Sequence, residues 1–579
     1  MSPAALPRRS ATSAILASAV QAVTPDPSVA ARTAQAAAVA SVPDPTPPRV
    51  VAGTYPEPVP ESAPSAAAVD GAYTPRLAVG TPQPVRTAFG RAPIASRTAA
   101  ATTTTTTTPA VDPAHLARRA TWGATPALVA EIRAVGTTAW IDAQLNPTAV
   151  ADTMTDSLVA AQWPRLKLAT WEVHDTYYPD STGDLGYDIT ESYVARAIWS
   201  KRQLLEVMVD FWTNHLVVTA PWGEAWDSAH RFHIDVIRTF ALGRYADMLV
   251  AAAKHPAMLN QLDNASSTKR APNENFGREV LELHTVGVDG GYLESDIRRS
   301  ALALTGMSTD REDGEYQYRH IRHHRGALAV LGWSNANASA YGEAVGVQYL
   351  THLARHPKTA RRIATKLAIR FVADAPPAAL VDRLAQVYLA NDTRIAPVVR
   401  ALLTSAEFAA AKGQKTKRPL EDIVSTARVL GAAPGTNTKG WLSDLLWHSR
   451  VAGQAPMGWP APNGYPDVAG AWSGSGATLA RWNWHMAQGW HAVDAAPKVA
   501  YPALRSLLPA TLPTTYGGYV DALANRLLLA PLPAAKRDAV CAFLDRTAAS
   551  PLKSTDAAVG WRLPYVVALV LDTPEFATR

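Results

Sequence analysis

The run Pro272-Asn273-Glu274-Asn275-Phe276-Gly277-Arg278-Glu279-Val280-Leu281-Glu282-Leu283-His284-Thr285-Val286-Gly287 is the densest polar motif of the chain. Read as one helix capped by Asn273 and ended by Gly287, it sets Asn275, Glu279 and Glu282 on one face. The same helix makes Glu274, Arg278 and Glu282 an i, i+4 ladder. Glu279 has no cation at helical spacing, which makes it the carboxylate best suited to general acid or base work. Asn275 and Arg278 stand where they could orient it or a substrate. The plainer alternative is structural: Glu282 pairs with Arg278, and His284 sits near a helix C-terminus, where its charge is favoured. On an α-helix His284 lies roughly 200° around from Glu282, so the two serve one site only if the helix has already ended.

Nine of the fifteen histidines fall between His174 and His324. His215 continues the apolar stripe Leu204, Met208, Phe211, which fits either a hydrogen-bonded core histidine or a proton carrier. Asp227, His230 and His233 stand three apart and on a helix would present three ligands to zinc or a similar ion; a solvated helix gives the same spacing by chance. His320, His323 and His324 alternate with Arg319, Arg322 and Arg325, a strip that either binds an anion or lies in solvent. If a divalent metal is the cofactor, His215, His284 and His323 are its candidate ligands. Seven of the seventeen tryptophans lie between Trp441 and Trp490, around the loop Gly458 to Asp467. Indoles beside Pro/Gly loops either stack on sugar rings or pack a loop-rich core. Trp459, Tyr465 and Asp467 are the substrate-binding candidates there. GxSxG, HExxH, phosphate-loop and dinucleotide motifs do not occur at convincing spacing.

The elements that must position these residues read as helices. Asp112-Pro113 and Thr125-Pro126 are cap-then-proline starts, and Gly136 is a helix stop. Further stripes run through Ile363, Leu367 and Phe371 after His356-Pro357, and through Leu380, Leu384 and Val387 after Pro376-Pro377. Alternating strand patterns are scarce, so the predicted fold is mainly α, a large multi-helix body. Leu402 to Ala409 and Val570 to Ala577 echo each other, a sign of duplicated helical units. The Lys/Gly-rich stretch from Lys412 to Pro419 reads as a connection, dividing the body into 111–412, with the His/Glu motifs, and 413–579, with the Trp/Pro-rich loops.

Residues 1–110 form a different class of sequence. They hold 17 of the 44 prolines and the threonine run Thr102 to Thr108, with few large apolar groups. Such an Ala/Pro/Thr-rich segment cannot bury enough surface to offset its ordering entropy, and a disordered tail is expected. Arg8-Arg9, the apolar stretch Ser13 to Val20 and small residues after it have the order of a secretion signal, so export to the periplasm or beyond is expected. The net charge is +6, and half of that excess, eight arginines against five acids, lies in the tail. The body's near-balance excludes a nucleic-acid footprint. A single cysteine, Cys541, excludes an intramolecular disulfide, a Cys-based zinc site and c-type haem attachment. No stretch approaches a membrane span.

In this order the motifs resemble the bacterial domain-of-unknown-function 1800 family over about residues 112–579. The matching stretches are His115 to Gly123, Phe211-Trp212-Thr213-Asn214-His215, His255-Pro256-Ala257-Met258-Leu259, Pro272 to Gly287, Ala303-Leu304-Thr305-Gly306 and Asn463-Gly464-Tyr465-Pro466-Asp467. The resemblance implies a helical, commonly exported protein and brings no established activity or catalytic residue. Its pattern carries an acid where this chain has His233, which counts against the three-ligand face. The family's association with exported sulfatase-like proteins makes such a partner, and a surface polymer, the implied company. The expectation is therefore a hydrolase-like enzyme acting on an extracellular or envelope polymer, a polysaccharide first. Glu279 would be its acid/base, with His215 and His284 as secondary groups. The alternatives are a non-catalytic envelope binding or scaffold protein and a metal-dependent oxidoreductase.

Overall fold

Cap chemistry decides where the helices begin. Asp112 Oδ1 accepts from the Ala114 amide at 2.9 Å and starts the Pro113–Ala120 helix. Thr125 Oγ1 accepts from the Leu128 amide at 3.2 Å and starts Pro126–Val135, which ends at Gly136 with φ +87°. His356 caps Pro357–Phe371 through its ring Nδ1, and that helix buries Ile363, Leu367 and Phe371 completely. In the computed structural model, which describes residues 111–177, 184–220, 223–493 and 498–579, there are 24 helices and only two small sheets. The tail expected to be disordered, with its leader, lies outside the described residues. Among the described residues no helix is long and apolar enough to cross a membrane.

Both sheets are antiparallel hairpins, Met307–Thr309 with Tyr316–Tyr318 and Leu328–Val330 with Trp333–Asn335. One apolar core draws on residues from Val111 to Val499 and a second on residues from Val429 to Phe576. The two echoed sequences take the same local form. Ile395–Leu403 is followed by the short helix Ala406–Ala410, and Leu563–Leu571 by Pro574–Ala577, each short helix burying its phenylalanine, Phe408 or Phe576.

Two departures from regular α-geometry matter for the site. The chain winds as π-helix over Phe232–Arg238 and again over Val280–His284. Such turns are rare and concentrate at functional positions. The Gln203–Thr213 helix stops before His215, so that histidine stands in the turn after the stripe it seemed to extend.

A buried ion cluster ties remote stretches together. Arg418 and Arg370 share Asp210, the latter at 3.6 Å, and Arg370 also pairs with Glu421. Arg579 reaches Glu421 at 3.1 Å and Asp467 at 3.4 Å. Lys415 holds Asp374 at 2.6 Å and Asp467 at 3.2 Å. Charges removed from water this far are tolerable only because each has a counter-charge in contact.

Candidate functional site

The structure brings His215 and His284 together. The Lys366 ammonium, on the Pro357–Phe371 helix, donates to His215 Nδ1 at 2.9 Å. That leaves His215 Nε2 as the protonated nitrogen, shared between the Tyr245 hydroxyl oxygen at 3.1 Å and the His284 carbonyl at 3.2 Å. The Tyr245 hydroxyl in turn donates to the same carbonyl. Phe211, Trp212 and Tyr245 box the His215 ring at 5.5–6.4 Å between centroids. The π-turn makes this possible: it widens the last turn of the motif, so the α-helical wheel no longer describes where His284 points. Burial first, then Lys366 and Arg362, push the His284 ring down to about 3. Burial and the same lysine hold His215 well below the ordinary histidine range. Lys366 itself is pushed down to about 7 by burial and by Arg362. Among the described residues neither cation forms an ion pair with a carboxylate; Arg362 Nε donates to the Leu283 carbonyl at 3.3 Å. An amine that loses its proton near neutrality can act as a base or a nucleophile.

A second arrangement lines a surface groove. His174, on the Thr170–Tyr177 helix, places Nδ1 2.9 Å from Asp227 Oδ2, and Asp227 is buried with its other oxygen unpartnered. A carboxylate on Nδ1 orients the ring and favours the tautomer with the proton on that nitrogen. Trp226 stacks on the His174 ring at 5.7 Å. The tip of the first hairpin presses on the pair: Gly314 has φ +73°, and a Cβ there would come within 2.8 Å of Asp227 Oδ2. The pair lines a groove of 370 Å³ with Glu224, Asn260, Asp263 and Asp310. Asp263 there holds a left-handed backbone, φ +58°, a conformation aspartate adopts more readily than most residues.

The other predicted residues are distributed differently. Glu279 is half-buried and, among the described residues, makes no hydrogen bond or ion pair; burial first, then the neighbouring Glu282, raise its pKa against the pull of Arg278. Arg278 bridges Glu282 at 3.4 Å and Glu294 at 2.6 Å, while Glu274 faces Arg298 at 4.0 Å, so the expected three-member ladder keeps only its second rung. Asn275 is exposed. His323 faces two oxygens, Thr305 O at 3.2 Å and Asn337 Oδ1 at 2.8 Å, and offers neither ring nitrogen to a metal. Among the described residues no three His, Cys, Asp or Glu side chains converge as metal ligands, so the set His215, His284 and His323 is not assembled. The Asp227, His230, His233 face splits as well. Asp227 precedes the helical turn Ala229–Arg231 and turns to His174, and the π-turn from Phe232 breaks the three-residue spacing.

In the tryptophan-rich region Asn214 donates to Tyr465 O at 2.8 Å and accepts from its amide at 2.7 Å, and the Tyr465 hydroxyl donates to Ala455 O. Trp459 Nε1 donates to Asn463 Oδ1 at 2.7 Å. Burial opposes ionisation of Asp467, but Arg418, Arg370, Arg579 and Lys415 outweigh it and hold its carboxyl below the usual range. These three residues spend their polar atoms fastening the loop. Those contacts also join two of the matched motifs, Phe211 to His215 and Asn463 to Asp467, in one place.

A family model described as "Protein of unknown function (DUF1800)" matches residues 115–578. The chain belongs to the DUF1800 family. No curated protein and no solved structure matches it. Within this DUF1800 body the sequence reasoning missed Lys366, Tyr245 and the His174–Asp227 pair. For Lys366 a signal was present: Arg362, Lys366 and Arg370 recur every four residues beside the apolar stripe Ile363, Leu367, Phe371, three cations lining one buried edge. His174 and Asp227 are 53 residues apart and share no periodicity, so nothing in the sequence pairs them.

Proposed function

We propose that this DUF1800 protein is an enzyme performing acid–base chemistry on a polyhydroxylated extracellular or envelope polymer, with the groove at His174 and Asp227 as its active site. The observation that carries the reading is a carboxylate-oriented imidazole in a polar, open groove beside an indole face. His174 would move the proton, Asp227 would orient it and stabilise its charged form, and Asp263, Asp310 or Glu224 would supply the second carboxylate that glycoside cleavage requires. Trp226 would stack on a sugar ring. Export belongs to this reading through the arginine pair and apolar stretch of the leader, as does an exported sulfatase-like partner.

The test is release of reducing ends from a panel of bacterial surface polysaccharides. Wild type should cleave at least one, and His174→Gln and Asp227→Asn should each lose about 10²- to 10⁴-fold while melting within a few degrees of wild type. Full activity in either variant would remove the groove as the active site. One observation favours the non-catalytic alternative: Trp490 and Trp561 are exposed and flank Tyr565, at 5.2 and 6.4 Å between ring centroids. Retention of a polymer without cleavage, lost on Trp561→Ala, would establish that platform instead.

A further inference from the structure

The Pro357–Phe371 helix carries five cations, and they fall into two groups. Arg361 pairs with Asp382, and Arg370 with Asp210, Glu421 and Asp467. Lys358, Arg362 and Lys366 stand at i, i+4 and i+8, one edge of the helix about 12 Å long. Among the described residues none of these three forms an ion pair. They take neutral acceptors instead: Lys358 the Asp289 carbonyl at 3.0 Å, Arg362 Nε the Leu283 carbonyl at 3.3 Å, and Lys366 the His215 ring at 2.9 Å. Arg362 is only partly buried, and among the described residues its two terminal nitrogens make no hydrogen bond.

The loop that closes the Pro272–Gly287 motif leaves this edge uncovered. Gly287 has φ +89° and Gly291 φ +73°; a Cβ at the first would come within 2.8 Å of Arg362 Nη1, and one at the second within 3.0 Å of Lys358 Nζ. Asp289, between them, is exposed and attracts Arg362 from beyond ion-pair distance, while its carbonyl rather than its carboxylate meets Lys358. Behind the edge, burial keeps the His215 and His284 rings neutral, so they offer no compensating charge. Burial and the repulsion of Arg362 hold the Lys366 ammonium down to about 7. A guanidinium cannot relieve such repulsion by losing its proton, so Arg362 calls for an anion from outside the chain.

We infer that the Lys358–Arg362–Lys366 edge binds a tetrahedral oxyanion, phosphate or sulfate, free or as the end group of an ester. Arg362 supplies the forked contact that oxyanion geometry favours, Lys358 adds a charge from the solvent side, and Lys366 adds one from behind. The glycines at 287 and 291 keep the approach clear. The edge shares no residue with the His174 groove, so the site stands whether or not that groove is catalytic.

Calorimetric titration of the full chain in dilute chloride buffer, with sodium sulfate, inorganic phosphate, glycerol 1-phosphate and neutral glycerol, tests it. At least one oxyanion should bind saturably, with Kd below about 1 mM, and glycerol should not bind. Tighter binding of the ester than of phosphate places the anion on a larger molecule, and the reverse order makes it a free ion. Arg362→Gln should weaken binding by about tenfold or more, and Lys358→Glu, at an exposed position, by a similar factor. Arg361→Gln removes the neighbouring cation that Asp382 already holds, and it should leave the affinity within about twofold. Saturable binding by none of the three anions, wild-type affinity in Arg362→Gln, or an equal loss in Arg361→Gln would overturn the assignment. Should Arg362→Gln fail to fold, Lys358→Glu decides against the same control.

Discussion

Among the described residues Glu279 forms no ion pair, and its raised pKa fixes the sign of a test. A carboxyl harder to ionise in the fold than in the unfolded chain costs stability once it is charged; the cost is absent below the usual glutamate range near ~4.3 and complete at neutral pH. Glu279→Gln should therefore melt at the wild-type temperature or slightly above it at pH 7, with the difference vanishing near pH 4. A melting point several degrees lower would mean that the carboxylate holds a partner. Lys366 gives the complementary case. Its pKa of about 7, against an ordinary lysine value of 10.5, means that protonation strains the fold below neutrality and that the strain is released as pH rises through that window. The stability of Lys366→Met relative to wild type should be greatest at pH 7 and below and should shrink steadily toward pH 10, followed by thermal melts. The meeting of His215 with the Pro272–Gly287 motif was legible, because one pointed inward and the other was too polar to be idle. The spacing of Arg362, Lys366 and Arg370 was equally visible, yet it cannot say which of three similar cations receives acids. Asp210, Glu421 and Asp467, which neutralise Arg370, come from other parts of the chain.

Elements were most legible where a side chain closes a backbone hydrogen bond a few residues away. Asp112, Thr125, Asn273 and His356 all cap the helices that follow them. Local caps carry that information because both partners lie within one turn. The π-turns were not legible, since a wider turn leaves the same residue types in the same order and only tertiary packing reveals it. The loop Asn463 to Asp467 shows a third situation, in which the motif is legible and its purpose is not. Gly464 has φ +75°, and a Cβ there would lie 2.1 Å from the Asn214 carbonyl oxygen, so the motif is built to lie flat on another loop. Gly464→Ala should cost more than about 2 kcal/mol in urea unfolding, by adding backbone strain to a main-chain collision. A loss below half that figure would show that the loop can lift away from Asn214 at little cost.

At the scale of the whole molecule, the helical class followed from punctuation and periodicity, whereas the meeting of remote stretches did not, because contact between residues hundreds of positions apart leaves no local trace. The buried ion cluster is the extreme example. Asp210, Arg370, Glu421, Asp467 and Arg579 come from three helices, a loop and the last residue of the chain. Hydrogen exchange should find the slowest amides of the Gln203–Thr213, Pro357–Phe371 and Pro419–Leu430 helices opening with a common free energy; three clearly separate values would show that the helices come apart singly. The cluster thus works as a latch with several keys. Peeling away any one strand of the assembly strands a charge in a dry interior, so half-open forms are penalised far more than either the closed or the fully solvated chain. A protein fastened this way leaves its folded state rarely and all at once, and its lifetime in a protease-rich setting would be set by that single infrequent event rather than by the looseness of its surface loops.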